Sequence, residues 1–188
     1  MNRLVGRTAP LMRIALFGGS FDPPHLGHVL CALWARSVGA VDAVWVLPVV
    51  DHPYGKDLTP FADRLDLCRL AFAELPFVEV REDERRNAGG RTITLLDLLE
   101  AEHPGTRFCL VGGTDTQRDL GNWYRGADLI NRVEVLAIPR RGYDDDHPGA
   151  LPAISSTLVR ERIRAGGDLT GLVPAAVATR IARGNLYG

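Results

Sequence analysis

Lysine is nearly missing from this chain of 188 residues: of its 22 basic side chains all but Lys56 are arginine. A composition bias accounts for the shortage, and it makes the surviving Lys56 a candidate phosphate contact in the loop after the strand-like run 44–47. Charge of one sign is also missing. Basic residues number 22 and acidic ones 23, a formal net charge of −1. Nothing therefore draws the whole molecule toward nucleic acid or an anionic membrane, and any phosphate affinity has to be local. No apolar run approaches the roughly eighteen residues that a membrane span needs. The first residues carry Arg3, Arg7 and Arg13 without the apolar centre of a secretory leader, so a cytoplasmic protein is expected. Cysteine is sparse: Cys31, Cys68 and Cys109 are odd in number, far apart and set among apolar neighbours, which argues against a disulfide framework or a zinc site. Neither GxGxxG nor GxxxxGK[ST] occurs, so neither a dinucleotide-binding hydride-transfer domain nor a P-loop is indicated.

What is present is concentrated in residues 17–28, Phe-Gly-Gly-Ser-Phe-Asp-Pro-Pro-His-Leu-Gly-His. An apolar run, 14–17, reads as a buried strand, Gly18 and Gly19 let the backbone come close to a ligand, and helix-forming residues begin at Leu26. A glycine-rich loop aimed at a helix start offers free N–H groups and about half a positive charge, which suits a phosphate. His25 and His28, three apart at that start, can both turn toward one phosphate chain and donate hydrogen bonds to it. Either alone also fits an ordinary structural histidine near a cap. A second cluster, Ile154-Ser155-Ser156-Thr157-Leu158-Val159-Arg160, precedes a helix-like stretch. Helix capping explains the hydroxyls. It does not explain Arg160, a cation in the first turn where the helix dipole disfavours it unless an anion is bound nearby.

Strand-like runs at 12–17, 43–47, 77–81, 108–111 and 133–138 alternate with helix-length stretches at 26–38, 61–75, 92–102, 156–165 and 174–183. That is the βα rhythm of a single Rossmann-like α/β domain, a parallel sheet with helices on both faces, spanning 13–188 after an extension of residues 1–12. In such sheets ligands bind beyond the carboxyl ends of the strands, so one cleft can collect both clusters, the Lys56 loop and Gly112-Gly113-Thr114-Asp115. Two polar segments, 84–91 and 143–149, read as solvated loops. His147, beside three aspartates in the second, is not expected to be a metal ligand.

Gly18 to His28 matches the GGxFDPxHxGH signature of the nucleotidyltransferase superfamily, and residues 154–160 match its ISSTxxR box. Within it the chain most resembles the bacterial nicotinate-nucleotide adenylyltransferase family, through residues 91–96, Gly113-Thr114-Asp115 with Trp123, Arg140-Arg141-Gly142, and the ending from Leu172-Val173-Pro174 to Leu186-Tyr187. The resemblance implies an enzyme of NAD biosynthesis in which nicotinate mononucleotide attacks the α-phosphorus of ATP, giving nicotinate adenine dinucleotide and pyrophosphate. Mg²⁺ is implied, bound mainly through the ATP phosphates with no protein metal site. By the same resemblance Gly18, Gly19, Ser20 and Phe21 form the phosphate loop, His25 and His28 hold the α- and β-phosphates, and Ile154, Ser155, Ser156, Thr157 and Arg160 form the second jaw. Asp115 is implied beside the ATP ribose or the metal shell. Thr92, Trp123, Tyr124, Arg140 and Lys56 are implied on the acceptor side. The family places His directly before Lys, whereas here His52 and Lys56 are split, and Arg141 stands where the family has the proline of RPG. Nicotinamide mononucleotide or another phosphomonoester such as phosphopantetheine remain alternative acceptors, and a non-catalytic nucleotide sensor is a further alternative. Oligomeric state is left open.

Overall fold

The computed structural model describes residues 12–51, 55, 57–87, 89–142 and 147–188. The candidate residue Lys56, its neighbour His52 and nearly all of the 1–12 extension lie outside these. Five parallel strands, β1 (Arg13–Gly19), β2 (Ala43–Pro48), β3 (Val78–Val80), β4 (Arg107–Gly113) and β5 (Glu134–Ile138), form one sheet in the order β3-β2-β1-β4-β5. The chain runs outward from β1 through β2 to β3, then returns to the other side of β1 with β4. The crevice beyond β1 and β4 is therefore the topological switch point at which such sheets bind ligands.

Burial on both faces explains the continuous apolar runs, because successive side chains of a strand point to opposite sides. Ala15 and Phe17 enter one core with helices α1 (Leu26–Ser37), α2 (Phe61–Phe72), α6 (Ser156–Arg164) and α7 (Ala175–Gly184). Ile14 and Leu16 enter the other with α3 (Thr92–Glu102). In α2, Leu65, Cys68 and Phe72 are buried, and Leu75 packs on the core beyond the helix end. Cys68 and Cys109 are buried and Cys31 half-buried.

Three departures from the sequence expectation have local causes. Two short helices, α4 (Thr114–Asp119) and α5 (Gly126–Arg132), were not expected; six and seven residues are too few to show a 3.6-residue period. The start of the 84–91 segment, expected as a solvated loop, instead belongs to a 3₁₀ turn, Asp83–Arg86, with Glu84 and Asn87 buried. Asp83 and Arg86 are paired within the fold. Arg81 bonds Asp83 at 2.6 Å, and Arg86 reaches both Asp83 and Glu102.

Candidate active site

The first cluster is held in shape from below. Phe21 sits in the left-handed region at φ +48°, a conformation costing a non-glycine residue roughly 1–2 kcal/mol. The cost is offset by packing: the ring is 1% exposed and lies against Phe17, Phe72 and His28. Arg64, on the buried face of α2, donates to the carbonyls of Thr59, Ser20 and Val50 at 2.8, 2.8 and 3.0 Å. It thus fixes the loop leading from Ser20, although sequence reasoning did not single it out. An arginine amid buried Leu65, Leu67 and Cys68 was the available signal.

His25 precedes α1, and its backbone N–H donates to Nδ1 of His28 at 3.1 Å. Nδ1 of His28 is therefore the acceptor nitrogen, and the ring proton sits on Nε2, the donor left for a ligand. The two rings stack with centroids 3.7 Å apart. Burial, with the positive charge of Arg140, lowers the pKa of His25 to about 4 and holds that of His28 well below its ordinary value. Both rings are neutral donors at neutral pH. Gly27 makes room for this stack, since a Cβ there would meet the His25 ring at 2.9 Å. The helix start is tied down by Leu172, whose carbonyl accepts from the Leu26 N–H at 2.8 Å.

The second cluster lies directly on the first. Ser156 Oγ donates to the Pro23 carbonyl at 2.9 Å, and the Arg160 guanidinium donates to the Asp22 carbonyl and to Thr157 Oγ1. Ser155 serves as the N-cap of α6, accepting from the Leu158 N–H at 3.1 Å. Sequence positions more than 130 residues apart thus share hydrogen bonds.

Two hollows open at this end of the sheet. One, of about 280 Å³, is lined by Gly18, His25, His28, Ile154, Ser156 and Arg140 among others. The other, of about 240 Å³, lies on the opposite face of the sheet and is lined by Leu16, Leu47, Leu95, Thr92, Trp123 and Glu84 among others. Gly18 borders both. A third hollow, of about 680 Å³, is bordered by Ser20, Asp22, Ser156, Thr157 and Arg160.

A cytidylyltransferase-like family model matches residues 16–162. A probable nicotinate-nucleotide adenylyltransferase of Anaeromyxobacter dehalogenans is 43% identical over 180 residues, covering 93% of this chain and 96% of the relative. The chain belongs to the nicotinate-nucleotide adenylyltransferase family. A Myxococcus xanthus member is 34% identical over 183 residues, covering 95% and 96%. In fold, this family member is similar to the Plasmodium falciparum nicotinic acid mononucleotide adenylyltransferase solved with NaAD, with a TM-score of 0.80 at 20% identity over 94% of this chain and 97% of that one.

Against the roles the family resemblance implies, the geometry groups the residues as follows. Gly18, His25, His28, Ile154, Ser155 and Ser156 border the first hollow, while Thr157 and Arg160 face the third. Gly19 and Ser20 border the second hollow, and Ser20 the third as well. Thr92 and Trp123 come together in the second, with Trp123 half-buried and its Nε1 donating to Asp119 at 3.3 Å. Arg140 lines the histidine hollow and not the Thr92–Trp123 one, and it lies 3.4 Å from exposed Asp115. Gly113 permits that pairing, because a Cβ there would strike both side chains. Tyr124 is exposed outside the second hollow, beneath the Arg91 guanidinium at 4.2 Å. Arg91 is a further cation on this side that was not singled out as a site residue. No cluster of three or more His, Cys, Asp or Glu side chains among the described residues is arranged to hold a metal ion. No helix among them is long and apolar enough to cross a membrane.

Proposed function

We infer that this chain transfers the adenylyl group of ATP to the phosphate of nicotinate mononucleotide, releasing pyrophosphate and nicotinate adenine dinucleotide. One observation carries the reading: the histidine-lined hollow and the apolar hollow meet at Gly18, with the Ser156–Arg160 turn bonded to the loop between them. A nucleoside triphosphate in the first and an acceptor in the second would meet head to head. The relatives' names point to the same substrates.

Attack on the α-phosphorus needs alignment and stabilisation of leaving-group charge more than bond-making by the protein. His28 Nε2–H and the His25 ring, both neutral, donate to phosphoryl oxygens, and such bonds strengthen as charge builds on the leaving pyrophosphate. Ser156, Thr157 and Arg160 hold its far end, with the planar guanidinium suited to two oxygens at once. The acceptor phosphate is already anionic, so no general base is assigned. Mg²⁺ brought by ATP would be held through the phosphates and water, with no side chain of the described residues assigned to it, and would supply neutralisation of part of their charge. On the acceptor side Trp123 offers a ring face for the pyridine, and Thr92 at the start of α3, with Arg91 outside it, supplies donors and positive charge for the nicotinate carboxylate. We take the reaction to be cytoplasmic.

Pyrophosphate release with Mg²⁺–ATP against nicotinate mononucleotide, nicotinamide mononucleotide and phosphopantetheine, and with CTP against glycerol 3-phosphate, tests the assignment. Fastest turnover with nicotinate mononucleotide is expected. Turnover confined to phosphopantetheine or to CTP would overturn it.

A further inference from the structure

The acceptor hollow contains one group that the proposed chemistry does not use. Its walls are largely apolar, from Leu16, Leu47, Leu95 and Leu110, and Glu84 is the only ionisable residue among the described residues that line it. Glu84 is 8% exposed, and its Oε2 accepts from Asn87 Nδ2 at 2.7 Å. Asn87 is fixed in turn: its Oδ1 accepts from Thr94 Oγ1 at 2.6 Å, and its Nδ2 also reaches the Arg91 carbonyl at 3.3 Å. The carboxyl is thus pinned by the first turn of α3, beside Thr92. Such a chain of bonds holds a side chain in one place and does not merely fill space.

We propose that Glu84 is a specificity residue of the acceptor hollow, reading the substituent on the pyridine ring and limiting the preference for the acid over the amide. This deepens the proposed function and rests on it. A carboxylate withdrawn from water has lost most of its hydrogen-bond donors, so it gains from a ligand N–H and is penalised by a second carboxylate at close range. A ring carboxamide brings that N–H. A ring carboxylate brings the like charge, and must be held by Thr92 and the backbone near Gly90 against it. Burial raises the Glu84 pKa and the Asn87 contact opposes the rise, the behaviour of a desolvated carboxylate with one donor. With Glu84 present the acid remains the better substrate and the amide a measurable one.

The test is kcat/KM for nicotinate and nicotinamide mononucleotides in the wild type, Glu84→Gln and Glu84→Leu. Glutamine keeps an oxygen for Asn87 and adds a donor, so the acid-to-amide ratio should rise at least about tenfold, with the change mostly in KM. Leucine, which removes the charge without adding a donor, should raise the ratio less, through loss of the amide. A ratio within about twofold of wild type in both variants, or one that falls, overturns the role of Glu84 alone. Wild-type protein that adenylylates neither nucleotide overturns the assigned reaction and this proposal together.

Discussion

Replacing Gly27 with alanine separates catalytic geometry from stability. The added Cβ would sit 2.9 Å from Cε1 and Nδ1 of His25 and 3.4 Å from the Ile154 carbonyl. Carbon contacts are comfortable at about 3.5–4.0 Å, so the His25 ring must move by roughly half an ångström or more, or tilt out of its 3.7 Å stack on His28. Overpacking of this kind costs about 1–3 kcal/mol. Alanine in place of glycine within a helix returns up to about 1 kcal/mol. The net effect is a loss of no more than about 3 kcal/mol, a fall in Tm below roughly 12 °C for a chain of this length. Catalysis is more sensitive. Displacement of a donor by about 1 Å can cost on the order of a hundredfold, so kcat for pyrophosphate release should fall at least about tenfold while the protein stays folded. Steady-state kinetics and a thermal melt on the same preparation decide it. A folded variant with kcat within about threefold of wild type would refute the placement of His25 as a ligand donor.

Arg160→Lys keeps the charge but cannot span both the Asp22 carbonyl and Thr157, so kcat/KM for ATP should drop about ten- to a hundredfold; initial-rate kinetics in ATP will show it. Acid stability follows from the histidines. His25 titrates near 4 in the folded chain against about 6.5 unfolded, so between those values the unfolded state binds more protons. Stability should be unaffected above about pH 6.5 and fall as pH drops toward 4, by on the order of 3 kcal/mol from His25, with His28 adding in the same direction. Denaturant melts across that range, compared with His25→Gln, measure the contribution; a pH dependence that His25→Gln leaves unchanged contradicts it. Trp123→Ala should raise KM for the mononucleotide about tenfold or more and leave KM for ATP within about twofold, since Trp123 lines only the acceptor side.

Residues close together in sequence carried most of what could be read in advance. Strands β1, β2 and β4 were legible because burial on both faces writes an unbroken apolar run, and Gly18 to His28 because loop, cap and both imidazoles lie within one turn of chain. That the Ser156–Arg160 turn belongs with that loop was inferable from chemistry, namely an arginine at the wrong end of a helix. The bond from Arg160 to the Asp22 carbonyl was not, since no local pattern encodes a contact across 138 positions. Arg64 and Glu84 were missed for a related reason. A charge inside an amphipathic helix or a polar segment reads as solvated until tertiary packing buries it, and the partners that make burial tolerable, three carbonyls for Arg64 and Asn87 for Glu84, come from the folded chain. The ion pairs of Arg81, Asp83, Arg86 and Glu102 likewise turned an apparently solvated loop into an ordered turn.

Direct transfer between two hollows that meet at Gly18 is tested most simply by stereochemistry at the α-phosphorus. With ATP carrying a single α-thio configuration and nicotinate mononucleotide as acceptor, one in-line displacement predicts a dinucleotide of inverted configuration. Retention would reveal two displacements through an adenylylated side chain, and would contradict a cleft in which the acceptor phosphate faces ATP without an intermediary.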